Sequence, residues 1–226
     1  AGGTPVCDAE DPSDLDRIVA AVIRLTPRYP VALMGTGAMA RAIGERLRPT
    51  EEGRSAVPPE RDSPLLLVVG TLAASAREQV SRLVAAGADH VVVSAADLAD
   101  DRALGALTGR IRRALRRGVA VVSLDRRDGW HRDQIALLAT AIPPALDPRG
   151  ADLVLTGGET ARRVLDELGV EILHPREEID TGAVLSAMPD GSSVVTRPGS
   201  FGSPDSLVEI VGRLRPTFAL AMERRS

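Results

Sequence analysis

No lysine occurs in the 226 residues; all 28 basic side chains are arginine. That absence excludes a Walker-type GxxxxGK[ST] loop, a Schiff-base lysine and the strand lysine of the protein kinases. Any phosphate bound here must be held by backbone amides, hydroxyls, arginine or a metal ion. Arginine forks a phosphate well but cannot titrate as a base. Aromatic residues make up only 2% of the chain against 44% hydrophobic, so the core must be aliphatic and alanine-rich. The single cysteine, Cys7, excludes an internal disulfide framework and fits a reducing, cytoplasmic compartment. A net charge of −3 and a pI of about 5.7 argue against a nucleic-acid surface. No apolar run approaches the roughly 20 residues of a membrane span. The N-terminus lacks a charged-then-apolar signal pattern, so no membrane partner is expected.

What is present is an alternation of apolar runs and helical periodicities. A polar lead, Cys7 to Asp14, precedes Leu15, Ile18, Val19, Val22 and Ile23 at helical spacing, with Ser13 or Asp14 as the expected cap. Val31 to Met34 reads as a short strand before Gly35-Thr36-Gly37-Ala38-Met39-Ala40 and a helix to about Leu47. This run matches the G-x-G-x-x-A form of a dinucleotide turn. That reading needs a second strand about 20 residues on, ending in an acid for the ribose. The matching region, Arg48 to Pro64, is too rich in proline and charge to be a buried strand, and its part from 51 to 64 reads as an inter-domain linker.

Beyond it the pattern is regular. Leu65–Val69 predicts a buried strand, followed by a helix from about Ser75 to Ala86 and a strand at Val91–Ser94, with His90 ending the loop before it. A helix from about Asp100 to Arg117, a strand at Val119–Leu124 and a helix from His131 to Ala141, closed by Pro143-Pro144, come next. Leu153-Val154-Leu155 is then an apolar run leading through Thr156-Gly157-Gly158-Glu159-Thr160 into a helix with Ala161, Val164, Leu165 and Leu168 on one face. Short strands are expected at Val170–Leu173, Ala183–Met188 and Ser193–Thr196, the last pair joined through Asp190-Gly191. The loop Arg197-Pro198-Gly199-Ser200-Phe201-Gly202 feeds a final helix with Ser203 as N-cap and Pro204 in its first position. The expected fold is α/β: a mostly parallel sheet with helices on both faces, plus a short β-hairpin region near the C-terminus. Ligands belong beyond the carboxyl ends of such strands, where Gly70-Thr71, Ser123 to Asp125 and Thr156 to Gly158 fall.

A glycine pair between strand and helix allows close backbone approach, and the helix start aims free N–H groups outward, which suits a phosphate. The plainer reading of TGGET is an ordinary strand-to-helix turn with an acid suited to a helix N-terminus. Short glycine motifs recur by chance. A second glycine-rich loop entering a helix, RPGSFG, shifts the balance toward a phosphate ligand.

From Leu65 to Leu214 the chain resembles the C-terminal nucleotide-binding domain of the four-carbon acid sugar kinases, which phosphorylate threonate, erythronate or 3-oxo-tetronate with ATP. Val69-Gly70-Thr71 followed by Gln79 is similar to the family's V-G-S-x-S-x-x-T-x-x-Q block. Thr156 to Thr160 is similar to its GG[DE]T, and Arg197 to Gly202 to its K-S-G-x-F-G, preceded by Ile179-Asp180-Thr181-Gly182. Residues 1–50 resemble the end of the family's substrate domain, with Gly35 to Ala40 at a GSAGLA-like turn. The resemblance implies ATP, with Mg²⁺, over Gly157, Gly158, Glu159 and Thr160, with Thr71, Gly199, Ser200 and Gly202 nearby. It gives the two glycines to backbone cradling, Thr160 to a hydroxyl contact, Glu159 to magnesium through water and Arg197 to phosphate charge. Where the family has hydroxyls or lysine, this chain has Ala73, Ala76 and Arg197.

Other candidates carry less. His90, His131 and His174 lack metal-ligand spacing, so no protein metal site is expected. Asp125, with Arg126, Arg127 and Asp128, reads as a solvated loop, and Trp130 beside Gly129 as a loop anchor rather than a base-stacking residue. The arginines from Arg110 to Arg117 suit a helix C-terminus. No residue is assigned as general base. Two other classes stand beside the kinase domain: a catalytically silent nucleotide-binding or regulatory module, and an NAD(P)-dependent oxidoreductase using Gly35 to Ala40. A homodimer is left open. The family's acidic D-D-x-T-G motif, which serves the acid sugar, does not occur in the sequence, so these 226 residues alone are expected to show little sugar kinase activity. ATP-dependent phosphorylation of a tetronate by this chain would overturn that expectation.

Overall fold

Strands that are apolar at every position need cover on both faces, and the chain supplies it with helices that follow each strand. The computed structural model describes residues 3–47, 63–125 and 132–218. The linker residues up to Asp62, and Arg126, Arg127, Asp128, Gly129, Trp130 and His131, lie outside the described residues. The chain divides into two compact units, Ala1–Ser55 and Ala56–Ser226.

In the first unit, helix α1 (Pro12–Leu25) begins one turn earlier than its apolar face suggests. Asp11, not Ser13 or Asp14, is the N-cap: its carboxylate accepts from the Ser13 and Asp14 amides, and Asp14 returns a bond to the cap amide. Helix α2 (Gly37–Gly44) follows. The strand expected at Val31–Met34 does not form; that stretch is irregular, and Met34 is 98% exposed. An isolated four-residue apolar run has no ladder to join here, since the described elements of this unit, α1 and α2, are helices. The dinucleotide reading of Gly35 to Ala40 loses the strand that would aim its turn.

The second unit, among the described residues, is built on a seven-stranded sheet in the order β2-β3-β1-β4-β7-β6-β5. Strands β1 (Leu65–Val69), β2 (Asp89–Val93), β3 (Val119–Leu124), β4 (Asp152–Thr156) and β7 (Ser193–Arg197) are mutually parallel. Strands β5 (His174–Asp180) and β6 (Ala183–Ala187) form an antiparallel hairpin that continues the sheet beyond β7. The hairpin is therefore an extension of the main sheet. Its first strand starts later than expected: Val170–Leu173 is irregular, while charged residues from His174 to Asp180 form the sheet edge. Charges on an edge strand block further pairing, which explains why an unpromising sequence forms the strand. His90 lies within β2, not before it.

Helices α3 (Ala74–Ala85) and α8 (Ser206–Leu214) bury Ala76, Val80, Leu83, Leu207 and Ile210 against Leu65, Leu67, Val154 and Val195 on one face. Helices α4 (Asp101–Leu115), α5 (Arg132–Thr140), α6 (Ile142–Leu146) and α7 (Gly158–Glu167) supply the other face. Leu107, Ile111, Leu138, Ile142 and Val164 meet Leu66, Val68, Val122 and Leu155 there. Pro143 and Pro144 do not close α5; they occupy the first turn of α6, where a missing N–H costs nothing. Helix α8 starts after Asp205 rather than at Ser203, because Ser203 and Pro204 are used in a turn whose Ser203 carbonyl accepts from Ser206 N at 3.1 Å.

At the amino end of the parallel strands a buried ion pair joins distant parts of the unit. Asp152, 3% exposed, accepts from Arg215 Nη2 at 2.6 Å, from Ser63 Oγ at 3.0 Å and from Ser193 N at 2.7 Å. Arg215 also donates to the Ser63 carbonyl at 2.9 Å. Removing one partner leaves the other charge buried and unpaired, a loss of about 3–5 kcal/mol. Asp152→Ala should accordingly lower the unfolding free energy by about 3 kcal/mol. Denaturant titration checks this, and a loss below about 1 kcal/mol, the worth of an exposed pair, would show that the cluster is hydrated.

Candidate nucleotide-binding site

The direction of sheet building reverses at β1. From β1 the chain passes through α3 to β2 and returns to β3, whereas β4 lies on the other side of β1. Helix α3, leaving β1, packs on one face, and α7, leaving β4, on the opposite face. Two neighbouring parallel strands whose following helices diverge leave a crevice between their carboxyl ends. Gly70-Thr71 and Gly157-Gly158 sit at that crevice, directly after β1 and β4.

The three sequence blocks meet here. A Cβ on Gly70 would overlap Thr160 Oγ1 outright and stand 3.0 Å from Thr160 Cβ. A Cβ on Gly199 would stand 3.1 Å from Thr71 Cβ. Glycine permits the approach at position 70 without displacing Thr160, and at position 199 a Cβ would require Thr71 to give by a few tenths of an ångström. Gly157 adopts φ +101°, open to glycine and strained for other residues, and its amide donates to the Arg197 carbonyl at 2.9 Å. The β1, β4 and β7 ends are thus joined pairwise, each pair through one of these contacts.

Gly157 caps α7 without a side-chain hydrogen bond. The first-turn amides, from Gly158 onward, are left for an external acceptor, and the helix dipole favours an anion there. No Cβ neighbour lies within 4 Å of Gly158, so the space above the helix start is open. Thr160 is 3% exposed beneath it. Thr156, the last residue of β4, is fully buried, and its Oγ1 has no hydrogen-bond partner among the described residues. Open amides at a helix start fit an oxygen-rich anion. Glu159 is on the exposed rim, where its carboxylate pairs with Arg163 Nε at 3.0 Å. Ser200 is exposed in its loop, and Thr71 Oγ1 accepts from Ala73 N at 3.3 Å.

Arg197 faces inward. It is 4% exposed; Nη1 donates to Ser206 Oγ at 3.1 Å and Nη2 donates to the Phe201 carbonyl. Burial pushes its guanidinium below the usual arginine value, and the charge of Asp180 opposes that shift. Ser206 Oγ in turn donates to Asp180 Oδ2 at 2.5 Å. From the other side Gln79, 1% exposed on α3, donates through Nε2 to the carbonyls of Phe201, Gly202 and Ser203 at 3.0, 3.3 and 2.8 Å. The loop from Gly199 to Gly202 is therefore held between an arginine and an amide. The motif comparison quotes Gln79, but spacing alone gives it no role. Ser206 and Thr156 carry no signal in sequence, since serine and threonine at element ends are common for other reasons.

Known proteins share this chain's sequence and fold. Residues 66–207 match the family model described as a nucleotide-binding C-terminal domain. The chain is 30% identical over 220 residues to a D-threonate kinase of Cupriavidus necator, covering 89% of this chain and 51% of that protein. A D-threonate kinase of Bordetella bronchiseptica is likewise 30% identical over 228 residues, covering 91% and 56%. The chain spans about half the length of the curated relatives it matches. Among solved structures, a Bordetella bronchiseptica protein with bound citrate, a domain-swapped dimer, is 26% identical with a TM-score of 0.58, over 92% of this chain and 51% of that one. A Haemophilus influenzae protein at 19% identity and a TM-score of 0.67, over 92% and 52%, shares the fold. The chain belongs to the nucleotide-binding C-terminal domain family and carries this domain as it occurs in the four-carbon acid sugar kinases.

Proposed function

We propose that this chain binds ATP for transfer of its terminal phosphoryl group to a four-carbon acid sugar of the threonate type. The observation that carries the proposal is the steric lock of Gly70 on Thr160 and Gly199 on Thr71, which gathers three loops around an open helix N-terminus. In this reading the Gly158, Glu159 and Thr160 amides cradle phosphate oxygens, and the Thr71 and Thr160 hydroxyls flank them. Ser200 and the neighbouring glycines close the third side. Arg197 acts from below, holding the Phe201 carbonyl of the loop, and its charge, offset by Asp180, adds a modest attraction.

Phosphoryl transfer requires little covalent chemistry from a protein; alignment and charge neutralisation supply most of the acceleration. Magnesium is compatible with the donor set. The ion commonly takes its ligands from phosphate and water with one or two carboxylates, and no cluster of three His, Cys, Asp or Glu suited to a metal occurs among the described residues. Glu159, on the rim of α7, would hold a magnesium-bound water in place of its pairing with Arg163. The metal when bound supplies neutralisation of phosphate charge; alignment falls to this chain's amides and hydroxyls. We assign the acid sugar and any base that accepts its proton to residues outside this cradle. The Bordetella relative's domain-swapped dimer supports a dimer for this chain as well.

Two substitutions separate site from scaffold. Gly158→Asp places a carboxylate at a helix N-terminus, where it should not harm folding, but in the space assigned to phosphate. Isothermal titration should show ATP affinity reduced by more than tenfold, about 1.4 kcal/mol, with Tm kept; unchanged ATP binding would move the phosphates elsewhere. Gln79→Leu leaves three loop carbonyls without their shared donor. It should cost about 1–3 kcal/mol of stability and weaken ATP binding, whereas a variant with lowered Tm and wild-type ATP affinity would limit Gln79 to packing.

A further inference from the structure

Four arginines converge at the amino ends of the parallel strands, at the opposite end of the sheet from the glycine loops. Arg116 caps the C-terminus of α4 and Arg117 follows it, Arg149 lies in the loop before β4, and Arg215 caps α8. Together they line a cavity of about 740 Å³ to whose walls no described acidic side chain contributes. Its floor is the start of the sheet, with Pro64 before β1 and Gly118-Val119 at β3. Leu115 and Phe218 give it an apolar side. A neighbouring cavity of about 260 Å³ shares Arg116 and Arg149 and adds Arg112, with Asp147 as the acid on its wall.

Arginine near a helix C-terminus is favourable by itself, because the negative end of the dipole lies there. That accounts for Arg116, Arg117 and Arg215, but not for Arg149 or for the meeting of three chain segments around one cavity. Pairing sorts the four by availability. Arg215, 8% exposed, is committed to Asp152 at 2.6 Å. Arg117 pairs with Asp89 at 2.7 Å, but its side chain is 77% exposed, and such a surface pair gives way readily to a competing anion. Arg116 and Arg149 are exposed, and among the described residues neither guanidinium has a hydrogen-bond or ion-pair partner. Two uncommitted guanidiniums and a third easily released make a local excess of positive charge in a chain whose net charge is −3. A concave wall of one sign concentrates ions of the other.

We propose that this cavity binds a small anion carrying two or more phosphate or carboxylate groups, at a site separate from the nucleotide crevice. A guanidinium forks either group through paired N–H donors. Arg116 and Arg149 each take one anionic group, Arg117 turns from Asp89 to share the load, and Thr217 adds a hydroxyl at the wall. Leu115 and Phe218 face the carbon skeleton. The volume falls within the range of small-molecule sites, about 300–1,000 Å³. The site does not depend on the phosphate reading of α7: β1 begins at this cavity and ends at Gly70, so the two lie a strand length apart.

Inorganic pyrophosphate and citrate are the probes, titrated into the whole chain at constant ionic strength with acetate as the singly charged control. Methyl NMR of the wild type should show the Leu115 and Val119 resonances moving saturably with at least one probe and not with acetate. Saturation by pyrophosphate alone assigns a phosphate ligand, by citrate alone a polycarboxylate, and by both a site that selects for charge number. The double variant Arg116→Gln/Arg149→Gln, changed only at exposed positions, should keep its Tm and bind at least tenfold more weakly. Arg149→Gln alone, in a loop, should weaken binding at least threefold. Gly158→Asp, which fills the cradle at α7, should leave this binding as in the wild type. No saturable response to either probe, an equal response to acetate, wild-type affinity in the arginine variants, or lost binding in Gly158→Asp would each overturn the site.

Discussion

The absence of a side chain at position 70 is the constraint on which the site depends. Thr160 occupies the volume a Cβ would need, so the first turn of α7 settles directly onto the carboxyl end of β1. That contact draws the start of α7 across the crevice where the strand order reverses. With α7 in place, Gly157 N meets the Arg197 carbonyl, and the loop following β7 is brought alongside Thr71. Each approach is a van der Waals contact of small individual worth, and a packed interior has no slack to absorb an added methyl group. The cradle is thus set by backbone geometry, as a protein without lysine requires.

Around this contact the protein distributes polar groups by depth. Gln79 and Arg197 are buried and bind main-chain carbonyls, while Glu159 and Ser200 stand at the rim. Buried polar side chains hold shape when their hydrogen bonds are met. Among the described residues the side-chain oxygen of Gln79, the hydroxyl of Thr156 and Nε of Arg176 are unmet, the first two on elements that adjoin the site. Arg197 shows how a charged residue in a glycine loop can serve the loop itself. Its neighbours Ser206 and Asp180 come from different elements, which a linear motif does not reveal.

Much of the fold was legible because buried parallel strands leave an unmistakable trace. Leu65–Val69 and Val119–Leu124 were read with their observed limits, and the apolar run at Leu153–Leu155 needed one residue at each end. Failures came where context outweighed pattern. Val31–Met34 and Val170–Leu173 have strand-like composition but no partner strand among the described residues, whereas the charged edge from His174 to Asp180 pairs with β6. The glycine loops could be named from sequence, and their assembly at the β1–β4 crevice could be anticipated from strand ends. The inward turn of Arg197 and the Gln79 clamp could not, since both depend on side chains meeting across more than one element.

The Asp152–Arg215 pair at the other end of the sheet has a consequence for the order of events during synthesis. Its partners are 63 residues apart, and the Ser63 carbonyl that Arg215 also binds lies 152 residues before it. Until Arg215 is available, the carboxylate beginning the central strand β4 has no counter-charge and resists burial in its ionised form. The ladder between β1 and β4 is made by their own backbones, but the carboxylate at its start is neutralised only when the end of α8 docks beside it. One ion pair thus ties Ser63, β4 and the end of α8 together across the full span of the second unit's sheet.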